Sequence, residues 1–191
     1  MLDNIKLVIW DLDGTIIDSF GLLSRVIEEV ADQTGRKLSA DLENHFHGSL
    51  SNTLINVLSL DDQELDSVMS VFLDIQDKLY SQDLKGYLFD DTLRLMMEAS
   101  RLGIRQTIVT NRGHLGRGSA SPIVIAKKLG IDQYIDQIIP GDQTEYRKPD
   151  IRVLGNLTND MMSDNILVIG DQIVDIEFAI NLGAKSILVD R

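Results

Sequence analysis

From Ser19 to Leu84 the chain carries helical periodicity with no strand-like stretch, and this block is flanked by segments of a different kind. Before it stands one short apolar run, Leu7-Val8-Ile9-Trp10, of the length of a buried strand. After it, from Asp91 onward, helix-like and strand-like patterns alternate. Alternation of that kind builds a parallel sheet with helices on both faces, because crossovers between parallel strands are right-handed and a helix covers the sheet at each one. The helix-only block is then an insertion after the first strand. If the strands continue on one side as far as Ile139 and then return to the other, the order is 3-2-1-4-5. The switch point then lies between the first and fourth strands.

Spacing places the individual elements. Phe20, Leu23, Val26, Ile27, Val30 and Ala31 recur at helical intervals up to a stop at Gly35. Short helices are expected over 42–46 and 53–58. Leu65, Val68, Met69, Phe72, Ile75 and Leu79 form a longer amphipathic stripe, preceded by Asp61 and Glu64 as a capping pair. Beyond the block, helices are expected over 91–102, 122–129, 151–157 and 174–182, and strands over 106–110, 134–139, 166–169 and 186–189. The fold class is α/β, a Rossmann-like doubly wound parallel sheet with an all-helical insertion. The methionine pairs Met96-Met97 and Met161-Met162 read as core filling.

Composition narrows the partners. At 191 residues and 43% hydrophobic content the chain can bury a full core. Its 30 acidic and 18 basic side chains leave a net charge of −12, which repels nucleic acid and anionic membranes, so neither is an expected partner. An anionic small substrate therefore needs locally placed positive charge. With no cysteine the chain has no disulfide and no thiolate metal site, which suits a reducing compartment. No leader-like or membrane-spanning run is visible, and a cytoplasmic location is expected.

Four short strings fall at or just beyond the expected carboxyl ends of strands: Asp11-Leu12-Asp13-Gly14-Thr15, Thr110-Asn111, Lys148-Pro149 and Gly170-Asp171 with Asp175 four residues on. Singly, each has an ordinary reading as a turn, a strand end or a helix cap. A calcium loop starting at Asp11 fails because Leu22 stands where its twelfth-position Glu belongs. In order along one sheet edge, the strings assemble what phosphoryl transfer needs. Carboxylates gathered at that density repel or hold protons unless a hard divalent cation joins them, and oxygen-only ligands with room for waters favour Mg²⁺. Lys148 adds a compact positive charge, and Thr110 and Asn111 can donate hydrogen bonds to phosphoryl oxygens.

These four strings, in this order and over nearly the whole chain, resemble the haloacid dehalogenase superfamily, in its subgroup with a helical cap inserted after the first motif (phosphoglycolate phosphatase and β-phosphoglucomutase-like). The resemblance implies a catalytic core over 1–18 and 85–191 and a helical cap over 19–84. It implies that Asp11 is the nucleophile forming an aspartyl-phosphate, and that Asp13 protonates the leaving alcohol and then activates water. It gives Thr110 the orienting of the phosphoryl group and Lys148 the neutralising of charge. It assigns Mg²⁺ to Asp171, Asp175, an oxygen of Asp11 and the backbone carbonyl of Asp13. An Asp at position 13 favours phosphate esters over dehalogenation or phosphonate cleavage. Two features depart from the family pattern: Gly86-Tyr87-Leu88-Phe89 where a Pro-Gly turn often returns from the cap, and Ile151 where a second Pro often follows.

The expected activity is Mg²⁺-dependent hydrolysis of a small phosphorylated metabolite. Candidate substrate contacts are Arg112 and the polar cap patch His45, His47, Gly48, Ser49 and Ser51, with a solvated turn capped by Ser51 as the plain alternative. The run 113–118 reads as a loop, since its glycine spacing does not fit a dinucleotide fingerprint. A phosphomutase would use the same acyl phosphate and pass it to another hydroxyl. A signalling receiver would carry its phosphorylated Asp after the third strand, near Asp142, and has no place for the helical insertion. A non-catalytic binding protein on this fold is the third alternative.

Overall fold

The computed structural model describes residues 4–39, 50–113 and 118–191. Its sheet has five strands: β1 (Leu7–Trp10), β2 (Arg105–Val109), β3 (Gln137–Ile139), β4 (Ile166–Gly170) and β5 (Lys185–Leu188). All pair in parallel, in the order β3-β2-β1-β4-β5. The helices are α1 (Ser19–Thr34), α2 (Leu50–Leu58), α3 (Leu65–Ser81), α4 (Asp90–Arg101), α5 (Pro122–Leu129) and α6 (Ile173–Leu182). Among the described residues no helix is long and apolar enough to cross a membrane.

The central strands are buried on both faces because their side chains alternate between two cores. Val8 and Trp10 of β1 join Leu167 and Ile169 of β4 in one cluster, while Leu7 and Ile9 join Ile166 and Val168 in another. Trp10 is fully packed near its strand end, and its indole N–H donates to Gln106 Oε1 at 3.1 Å. A third cluster draws only on residues from Val26 to Leu79, so the inserted helices carry their own core. Phe72 lies at its centre with no exposed surface.

Helix ends follow the sequence signals closely. Asp18 accepts from the Gly21 N–H at 2.8 Å at the start of α1, and Gly35 closes it at φ 65°. Asp61 and Glu64 form the expected reciprocal box: Asp61 Oδ1 accepts from the Glu64 N–H at 2.9 Å and Glu64 Oε2 from the Asp61 N–H at 3.1 Å. The box sits one turn ahead of α3, bridged by turns.

Several expectations need correction. The stretch from Ile151 forms only a 3-10 turn, Ile151–Leu154, closed by Gly155. Ser51 lies inside α2, which begins at Leu50, and so does not cap it. One member of each methionine pair is out of the core: Met97 and Met162 are exposed, whereas Met96 is fully buried. Strand β3 is shorter than its apolar pattern, because Asp132–Tyr134 winds into a 3-10 turn first. The expected helix over 42–46 and the patch residues His45, His47, Gly48 and Ser49 lie outside the described residues, as does most of the run 113–118.

Candidate active site

Parallel register brings the strings together. Trp10 lies opposite Ile108 on one side and Ile169 on the other, so the chain leaves β1, β2 and β4 at nearly the same level, with Asp11, Thr110 and Asp171 each the first residue beyond its strand. The Asp11 N–H still donates to Ile169 O at 2.9 Å, which fixes the first residue after the strand. Asp171 lies ahead of α6 and Asp175 is in its first turn, so the four-residue offset does not put them on one helical face. The two meet because Asp175 Oδ2 turns back to accept from the Gln172 N–H at 3.1 Å.

Lys148 is the hub. Its ammonium donates to Asp11 Oδ1 at 2.6 Å and to Asp175 Oδ1 at 2.5 Å, and all three side chains are buried. Burial disfavours the ammonium, but the charges and hydrogen bonds of both carboxylates outweigh that and raise its pKa. Burial pushes the Asp11 carboxyl up to about 7, with Lys148 pulling it down and Asp175 and Asp13 pushing it further up. Asp171 is also raised, by burial first, against a hydrogen bond from Thr15 Oγ1 at 2.9 Å.

One carboxylate oxygen each from Asp11, Asp171 and Asp175 lies within 4.8 Å of the others. Three carboxylates gather here, and Lys148 is the one cation paired with them among the described residues. The surplus is two negative charges, and the donors are all oxygen, so the residues present fit a hard divalent cation. Asp13 does not join the cluster with its side chain. Arg112 Nε donates to Asp13 Oδ2 at 2.9 Å and Nη2 to Asp13 Oδ1 at 2.6 Å, a forked pair. Arg112 also donates to Tyr80 Oη at 3.2 Å, from the sheet side to α3.

Thr110 is buried, and its Oγ1 accepts from the Arg112 N–H at 3.1 Å, which leaves its hydroxyl proton to donate elsewhere. The Asn111 side chain is committed to Lys148: Oδ1 accepts from the Lys148 N–H at 3.0 Å and Nδ2 donates to Lys148 O at 3.2 Å. Asn111 thus positions the lysine through its backbone. Two further residues carry the site without having been singled out for a role: Thr15, which holds Asp171, and Gln172, which lines the openings described below.

Gly14 has no substitute. It sits at φ +73°, and a Cβ there would stand 2.3 Å from Asp171 Oδ2. Gly14→Ala is expected to push Asp171 away and weaken any divalent cation held by the acidic cluster by about tenfold or more, the scale seen when groups supporting metal ligands are lost. A Mg²⁺ titration followed by thermal shift checks this.

Two openings meet at Asp13. A niche of about 70 Å³ is lined by Asp11, Thr110, Asn111, Lys148 and Asp175 among others, and a cavity of about 390 Å³ lies among α1, α2 and α3. Asp13, Arg112 and Gln172 line both.

This sheet order, with acidic groups and a lysine at the edge of the central strand, defines an α/β enzyme of the doubly wound class. The chain belongs to the haloacid dehalogenase-like hydrolase family, whose model matches residues 8–189. A phosphoglycolate phosphatase of Neisseria gonorrhoeae is 28% identical to it over 195 residues, covering 97% of this chain and 80% of that protein. A phosphoglycolate phosphatase of Rhodobacter capsulatus is 25% identical, covering 95% and 82%. Among solved structures, a haloacid dehalogenase superfamily hydrolase of subfamily IA from Geobacter sulfurreducens superposes with a TM-score of 0.78 at 19% identity, over 97% of this chain and 87% of that one.

Proposed function

We propose that this hydrolase is a Mg²⁺-dependent phosphatase that cleaves small phosphorylated metabolites through an aspartyl-phosphate on Asp11, with segment 19–84 acting as a cap and the cytoplasm as its location. The observation that carries the reading is the junction at Asp13. A small niche, bounded by Asp11 and Lys148, opens on a larger cavity at the residue that must reach the ester oxygen between phosphoryl and leaving group. The phosphatase names of the relatives support the same class of substrate.

In this scheme an Asp11 oxygen attacks phosphorus, the P–O ester bond breaks, and Asp13 gives its proton to the departing alcohol. Water then attacks the phosphoryl group, Asp13 takes a proton from it, and the Asp11–phosphorus bond breaks to release phosphate. Lys148 balances charge on Asp11 throughout, Thr110 donates its hydroxyl proton to a phosphoryl oxygen, and Arg112 aims Asp13. Asp11, Asp171, Asp175 and the Asp13 carbonyl would hold Mg²⁺, which would neutralise charge on the phosphoryl group.

Purified protein is expected to release phosphate from an aryl phosphate with Mg²⁺ present and to stop when the metal is chelated. Equal release in both conditions contradicts the reading. A bisphosphate offered with its monophosphate separates hydrolysis from phosphoryl return to a second hydroxyl, since only hydrolysis yields free phosphate in step with consumption.

A further inference from the structure

We infer that the cavity beside Asp13 selects phosphate monoesters of uncharged, hydroxyl-bearing alcohols, and that Gln76 recognises the hydroxyl. The inference rests on the phosphatase reading and adds the class of leaving group to it.

Charge gives the first half. The cavity is walled by apolar side chains, Phe20 and Leu23 of α1 and Phe72 of α3 among them, and two carboxylates, Asp13 and Asp171, also face it. The one cation among its described lining residues is Arg112, and both arms of its fork are spent on Asp13. A leaving group with its own carboxylate, such as that of phosphoglycolate, would be desolvated against these apolar walls, and among the described lining residues the one cation is already paired with Asp13. An uncharged leaving group meets no such penalty.

Gln76 gives the second half. It lies one helical turn from Phe72 and one from Tyr80 on the same stripe of α3, and all three line the cavity. Gln76 is only 5% exposed, and its Oε1 has no hydrogen-bond partner. A buried amide oxygen without a donor is a standing cost to the fold, which an apolar residue among these neighbours would not impose. The terminal torsion of glutamine is soft, so a small rotation presents that oxygen to a donor held in the cavity. Nearby Tyr80 Oη already accepts from Arg112, whereas the Gln76 oxygen has no donor of its own. A site built to bond a substrate hydroxyl rejects the analogue that lacks it more strongly than an apolar wall can.

The test compares kcat/KM for glycerol 1-phosphate, propyl phosphate and 2-phosphoglycolate, each with Mg²⁺, in the wild type and in Gln76→Leu, with Gln76→Met as a second apolar replacement. Glycerol 1-phosphate is expected to exceed each of the others by about tenfold or more. In Gln76→Leu the glycerol-to-propyl ratio falls about tenfold. The ligand-free variant melts about 2–4 °C higher, because the unpaired oxygen is gone. Preference for phosphoglycolate, or a ratio that moves less than twofold in both variants, overturns the inference while leaving the phosphatase reading intact if aryl phosphate is still cleaved. Failure of the wild type on every ester, aryl phosphate included, overturns both.

Discussion

Asp11→Asn is expected to lose turnover of an aryl phosphate by about 10⁴-fold or more, since removal of a covalent nucleophile leaves only binding and charge stabilisation. The same substitution is expected to stabilise the metal-free protein at neutral pH. Burial holds the Asp11 carboxyl at about 7, well above its ordinary value of 3.8, so the folded state binds this proton more tightly than the unfolded chain does. Stability therefore falls as pH rises from about 4 to about 7, and the loss is complete above that window and absent below it. Asparagine carries no charge to bury and escapes the loss, with an upper limit of about 4 kcal/mol at 1.36 kcal/mol per pKa unit. Thermal melts of the chelated wild type and variant should diverge with rising pH through that window, and Mg²⁺ should narrow the gap by stabilising the wild type. Parallel melts at pH 5 and pH 8 would count against the burial of Asp11.

Lys148→Met is expected to cost about 3–5 kcal/mol in metal-free protein, the scale for removing one partner of a buried ion pair. The lysine side chain is 3% exposed between Asp11 and Asp175, and without it both carboxylates stay buried with no cation against them. Saturating Mg²⁺ should restore part of the stability but not the rate, which is expected to remain lower by about 10²–10³-fold because the charge facing the phosphoryl group is gone. Chemical denaturation with and without Mg²⁺, beside kcat on an aryl phosphate, separates the two roles. A variant as stable as the wild type would mean that the lysine does not hold the acidic edge together.

Much of this was legible because the sheet is regular. Alternating βα patterns imply a parallel sheet, the return after Ile139 gives the order the structure shows, and parallel register then sets Asp11, Thr110 and Asp171 near one level, so residues far apart in sequence could be placed together from their patterns. The joins were not legible, because they depend on where long side chains turn. Nothing in the sequence ties Arg112 to Asp13, or the Asn111 amide to the backbone of Lys148; both pairings arise when loops from different strands fold over the same edge. The stretch after Asp150 looked helical by its apolar spacing, yet the turn at Gly155, at φ +54°, ends it after one 3-10 turn. Gln76 did leave a signal: an uncharged polar residue on the buried stripe between Phe72 and Tyr80, where the helical period calls for an apolar one.

The account depends most on Asp11 carrying the phosphoryl group. Acid quenching during steady-state turnover, borohydride reduction of the acyl phosphate and peptide mapping by mass spectrometry report that directly. The expected result is modification at Asp11 alone, lost in Asp11→Asn and formed in step with turnover. Modification at Asp142, or turnover with no trapped acyl phosphate at Asp11, would contradict it.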